Sequence, residues 1–252
     1  QCLLLALPTE MIATLLSFLP ECDLLSLRVC KRIDLIDAKA SRQLHIDNVH
    51  IVVTSESTVA TCSRYDERQA CPFLERFRVY HAKTHYDKIT VDIHALTADT
   101  KELIEACRDS SARFFKIRCE LVSAEVADSV ASIIADSFIL DLLKRKSIVH
   151  LVLPCKYVSE SGIVAILKGL AAGAIDLTSL VLHVETALAT RALGSFAPRE
   201  SIRRVPNGYG MVSEMVVCNF DSVGWNRKYR IIINPDVGLD DGYAQVSIYE
   251  YP

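Results

Sequence analysis

Residues 148–170 read IVHLVLPCKYVSESGIVAILKGL, and their pattern decides the fold class. Ile148 to Leu153 is a short apolar run with the length and composition of a buried strand. Ser159 stands where a helix begins, and its hydroxyl can accept a bond from an orphan backbone N–H there. Ile163, Ile166, Leu167 and Leu170 then recur at helical spacing and make one apolar face. The unit is strand, cap, helix.

The same order repeats on both sides. Upstream, Ile89, Val91 and Ile93 form a strand, and Thr97 can cap a helix containing Leu103, Ile104 and Cys107. Phe115, Ile117 and Cys119 form the next strand, and Ser123 can cap a helix with Val126, Val130, Ile133 and Ile134. Downstream, Leu180-Val181-Leu182 is a strand, with a weaker helix around Ala187 to Leu193. Alternation of this kind predicts a parallel sheet with crossover helices. A frame of apolar residues at positions one, four and six fits these strands: Tyr86/Ile89/Val91, Phe114/Ile117/Cys119, Ile148/Leu151/Leu153 and Leu177/Leu180/Leu182. The starts lie about 28, 34 and 29 residues apart, near the upper end of leucine-rich repeat periods. Two readings stay open. One is a body that resembles an irregular leucine-rich repeat. The other is a generic α/β layer whose strands alternate anyway, since Lys156 and Glu185 stand where the last two repeats should carry asparagine or cysteine.

Toward the N-terminus, Leu44 to Val53 alternates apolar and polar residues and reads as a strand. Residues 54–71 are polar and read as a surface loop, and Pro72 opens a second extended stretch containing Phe77 and Val79. At the other end, Arg199 to Gly210 is basic, then rich in Pro and Gly, and reads as a loop. Three strands follow, roughly Glu214 to Phe220, Lys228 to Asn234 and Ala244 to Tyr249, joined by turns such as Asn234-Pro235-Asp236. They predict an antiparallel meander, whose tyrosines and Trp225 can cap an edge or form a binding surface.

Residues 5–32 read LALPTEMIATLLSFLPECDLLSLRVCKR, two short amphipathic helices separated by Pro20. Pro8 suits a helix first turn, and Glu21 with Asp23 put negative charge where the next helix dipole favours it. A segment this small cannot bury so many leucines by itself, so a partner is expected to cover part of it. Leu7-Pro8-x-Glu10, the Ile12/Leu15/Leu16 run, Leu19-Pro20, Asp23-Leu24-Leu25 and Cys30-Lys31-Arg32 resemble the F-box family. The resemblance implies a three-helix module over residues 1–43. It also implies a partner, the Skp adaptor, and through it the cullin of an SCF ubiquitin ligase. The implied contacts are Leu7, Pro8, Glu10, Met11, Ile12, Leu15, Leu16, Leu19, Pro20, Asp23, Leu24, Leu25, Leu27 and Cys30. Residues 44–252 would then be an α/β substrate-recognition body, with strand–helix units over 86–195 and antiparallel strands over 213–250. The substrate it implies is a protein of unknown identity.

Composition narrows the alternatives. Half of the 252 residues are hydrophobic, enough for a substantial core, and the formal charge of −3 argues against a nucleic-acid or membrane-surface binder. Nine cysteines without a C-x-x-C pair suit a reducing compartment, cytoplasmic or nuclear. Leu3 to Leu7 lacks a preceding basic stretch and is interrupted by Pro8 and Glu10, so it is not read as a signal peptide.

No cofactor or metal is expected. His81 and His85 fit no zinc pattern with Cys62 and Cys71, and Asp236, Asp240 and Asp241 lack the spacing of a calcium loop. No phosphate-binding lysine loop or G-x-S-x-G elbow occurs. Cys107, Cys119, Cys155 and Cys218 fall in apolar patterns and read as packing residues, and Lys144-Arg145-Lys146 reads as a solvated helix end. Arg199, Arg203 and Arg204 are the candidates for an acidic or phosphorylated ligand, because planar donor forks suit such groups; Trp225 joins them as a candidate substrate contact. The expectation is a non-enzymatic adaptor. Its rivals are an F-box-like scaffold without a degradative role, and an α/β enzyme whose N-terminal helices only cover the sheet.

Overall fold

One ten-stranded mixed sheet carries the structure, a computed structural model that describes residues 11, 44–62, 84–119, 123–206, 214–224, 226–237 and 242–251. In chain order the first elements are β1 (Leu44–Val53), β2 (Thr58–Cys62), β3 (Thr84–Ile93), α1 (Thr100–Asp109) and β4 (Phe114–Arg118). Next come α2 (Ala124–Ile133), α3 (Asp136–Leu143), β5 (Ile148–Pro154), α4 (Glu160–Ala171), β6 (Ser179–Glu185) and α5 (Thr186–Phe196). The chain then runs through β7 (Ile202–Pro206), β8 (Glu214–Ser222), β9 (Arg227–Asn234) and β10 (Tyr243–Tyr251). The mixed α/β class expected from the alternation is what forms. The three-helix module expected over residues 1–43 lies outside the described residues, apart from Met11, which is helical and 52% exposed.

The strand order across the sheet is β2-β1-β3-β4-β5-β6-β10-β9-β8-β7. From β1 to β6 the neighbours are parallel and appear in chain order, with β2 folded back antiparallel on the outer edge. The last four strands are antiparallel, and β10 docks on β6. Crossovers between parallel strands are right-handed almost without exception. A ladder that advances in one direction therefore lays every crossover helix on the same face. Burial agrees: Val149, Leu151 and Leu153 of β5 alternate with half-buried Ile148, His150 and Val152. The buried set forms one core with Leu103, Ile139, Ile166 and Leu193 of the helices. The other face carries no helix among the described residues.

Local chemistry explains the element ends. Ser159 Oγ accepts from the Gly162 N–H at 3.0 Å, and Ser123 Oγ accepts from the Val126 N–H at 3.4 Å, as their positions predict. Thr97 departs from expectation. Helix α1 begins at Thr100 with Asp99 at its cap, and Thr97 serves the turn before it, its backbone N–H donating to Thr100 Oγ1 at 2.9 Å.

Four further readings are corrected. Residues 58–62 are strand β2, because Thr54 closes a tight turn by accepting the Ser57 N–H on its hydroxyl at 3.1 Å. Residues 202–206 are strand β7, since an edge strand tolerates arginine and proline where a central one would not. In the repeat frame, Phe114 and Ile148 fall on the helix-free face: the strand already runs through them, and a three-residue offset reverses the side. Lys146 is 1% exposed, with its Nζ donating to both Ser110 O and Ser110 Oγ, so it closes the end of α1 from inside.

Candidate functional site

The face that carries no helix among the described residues is where the fold leaves polar chemistry in reach, because every second strand residue must point there. Its centre spans β3 to β6. In one row Lys88, Phe114, Ile148 and Ser179 lie on successive strands, and in the next Thr90, Lys116, His150 and Val181 do. The Phe114 and His150 rings meet edge-on at 5.3 Å, and Lys88 Nζ sits 4.6 Å from the Phe114 centroid. His150 Nε2 and Ser179 Oγ are 3.3 Å apart. Burial, then the charges of Lys116 and Lys88, push the His150 imidazolium below its ordinary pKa, so the ring is neutral at neutral pH.

A second cluster joins β1, β3 and β4. Asp92 accepts the Arg118 fork, with Nε at 2.6 Å from Oδ1 and Nη2 on Oδ2, while His50 Nε2 lies 2.7 Å from Oδ2. Burial pushes the Asp92 carboxyl up, but the hydrogen bonds from Arg118 and His50 outweigh it and hold the group below its ordinary value. A His–Asp pair is the kind of orienting contact that acid–base catalysis uses. Here the carboxylate is equally committed to Arg118. The neighbouring thiols are no nucleophiles, because burial pushes Cys119 and Cys155 up to about 12. Cys107, Cys119, Cys155 and Cys218 are all free and buried, as their apolar patterns predict.

At the antiparallel end, Arg230 lies 4.7 Å from the Tyr251 ring centroid and donates to Asn219 at 3.0 Å. The edge strand β7 carries exposed Arg203 and Arg204 just after Arg199, so the structure gathers the three arginines at one border of the sheet. Arg204 already faces Glu214 at 3.7 Å. Trp225 and the expected Skp contacts other than Met11 lie outside the described residues. Among the described residues no group of His, Cys, Asp and Glu side chains could hold a metal ion, and no helix is long and apolar enough to cross a membrane.

Lys88, Lys116, His150, His50, Asp92 and Arg118 were not singled out by motif, because no short spacing joins them. Their signal is the alternation itself: each is the polar partner of a buried apolar neighbour. Comparison with models of known families, with curated proteins and with solved structures finds no match.

Proposed function

We propose that this chain is a substrate-recognition adaptor of an SCF-type ubiquitin ligase. The observation that carries the recognition half is the uninterrupted parallel ladder with its helices on one side. Among the described residues that ladder leaves a broad face of mixed polar, cationic and aromatic residues. The arrangement favours a leucine-rich-repeat-like body over a doubly wound layer, whose strands would be covered on both faces. The docking half rests on the F-box-like anchors from Leu7 to Cys30, which would fill a groove of the Skp adaptor with one apolar helix face.

The mechanism is proximity. One end of the chain holds the ligase through Skp and cullin, the other holds a protein, and ubiquitin transfer gains from the effective concentration this creates. The adaptor does no chemistry and works in the cytoplasm or nucleus. Changing Leu15 and Leu16 together to Ala abolishes co-purification with the Skp adaptor while leaving the circular dichroism and melting of the body unchanged. Retained Skp binding in that variant refutes the docking half. A captured partner whose cellular level does not change on ligase inhibition points instead to a scaffold without a degradative role.

A further inference from the structure

We propose that Lys88, Lys116, His150 and Ser179, set around the Phe114 ring, form a carboxylate-binding cluster that takes an acidic, extended segment of a partner protein. The inference rests on reading the helix-free face as the recognition surface and names the chemistry of what it recognises.

Two lysines occupy adjacent strands of that face, and neither has a carboxylate partner among the described residues. The carboxylate further along β3, Asp92, is already engaged by Arg118 and His50. The cluster is half-buried, so a ligand reaches it, yet bulk water screens it less than an open surface. His150 and Ser179 add neutral hydrogen-bonding groups at 3.3 Å from each other. Ile148 and Val181 flank them on the same face and suit the apolar side chains of an extended chain.

The available cations decide between carboxylate and phosphate. A phosphate dianion is best met by a planar guanidinium fork. The fork nearest in the ladder, Arg118, is spent on Asp92, which leaves two lysine point charges and matches the smaller charge of a Glu or Asp side chain. A nucleic-acid strand fits poorly, because the chain as a whole is formally −3.

The test is fluorescence anisotropy on the full chain with a labelled peptide in which Glu alternates with Leu. Its controls are the same peptide with Gln for Glu, a phosphoserine version, and a single-stranded oligonucleotide. The Glu peptide binds, the Gln peptide binds at least about tenfold more weakly, and Lys88→Gln and Lys116→Gln each weaken the Glu peptide by about tenfold. Lys88→Arg retains binding, and Lys101→Gln, an exposed lysine on α1, changes nothing. Equal binding of the Glu and Gln peptides, indifference to both lysine variants, or tighter binding of the phosphoserine peptide or the oligonucleotide overturns the assignment. Skp co-purification is scored in parallel on the same variants. Unchanged peptide binding in both lysine variants with intact Skp binding then fails this inference alone, and retained Skp binding in the Leu15/Leu16 variant fails the adaptor reading alone.

Discussion

Replacing Lys146 by Met removes a charge from inside the protein at nearly constant length. Lys146 is 1% exposed, and its ammonium group donates to the Ser110 carbonyl and, at 3.1 Å, to the Ser110 hydroxyl. Burial pulls its pKa from 10.5 down to about 8, against a smaller opposing pull from Cys107. The gap between those two values corresponds to about 3 kcal/mol of cost for holding the charge in the folded state near neutral pH. The Lys146→Met variant escapes that cost. It also strands Ser110, at about 1–3 kcal/mol for a buried acceptor that loses its donor. The two effects are of similar size, so the variant stays within about 2 kcal/mol of wild type near pH 7.

The pH dependence separates them. A depressed lysine pKa means that the unfolded chain holds the proton more tightly. Between about 8 and 10.5 wild type therefore gains stability as pH rises, and the Lys146→Met variant cannot follow it. Cys119 and Cys155 act oppositely, because burial raises them from 9.0 to about 12, and the unfolded chain loses their protons first. Both proteins carry those thiols, so the difference between them isolates the lysine. Urea unfolding of each, under reducing conditions from about pH 7 to about pH 10, shows wild type gaining relative to the variant by about 2–3 kcal/mol. A difference that stays flat across that range refutes a charged, buried Lys146.

Three further outcomes follow from the geometry. Asp92→Asn removes a carboxyl whose folded pKa lies below its ordinary 3.8. Wild type holds that contribution above pH 3.8 and loses it as pH falls through the folded value, so the stability gap between the two narrows in acid unfolding curves. Gly173 has φ of 73°, and a Cβ there would sit 2.5 Å from the Gly224 Cα, where the α4–β6 turn meets the β8–β9 turn. Gly173→Ala costs about 2 kcal/mol or more, read as a lower urea midpoint at unchanged slope. Gly162→Ala drives a methyl into the Asp136 carboxylate, which accepts the Ser159 N–H at 2.8 Å at the start of α4. It costs about 2 kcal/mol alone and much less in an Asp136→Ala background, a coupling that a double-mutant cycle measures.

Most of the strands and two of the caps were legible because they depend on neighbours in sequence. Ser123 and Ser159 cap the helices they precede, and strands β8, β9 and β10 make the expected meander. What was not legible depends on which side of the sheet the chain crosses. Phe114 and Ile148 look like core residues in a linear frame, but the strand runs through them and turns them outward beside Lys88 and His150. Lys146 sits in a run of basic residues with nothing to mark it as buried, because the partner that calls it inward is Ser110, far upstream. Strand β7 was hidden by the features that protect an edge: arginine and proline make it look like a loop.

The direction of the ladder bears most on function. Had the strand order reversed once, helices would cover both faces and a ligand would sit in the crevice at the reversal. Here the order runs from β1 to β6 without reversal, then continues through β10, β9, β8 and β7. At about 4.8 Å between neighbouring strands, such a sheet offers a face on the order of 40 Å across. That width is on the scale of a standard protein interface, which takes about 800 Å² from each partner, as the proposed function requires. The chemistry also varies along it: the lysine–histidine cluster lies on β3 to β5, and the Tyr249, Tyr251 and Arg230 group on β9 and β10. The β4 and β10 strands are three neighbours apart, roughly 14 Å, a distance four or five residues of extended chain can span. The proposed acidic segment is therefore long enough to touch both clusters at once, with an acidic residue at one and an apolar or aromatic residue at the other.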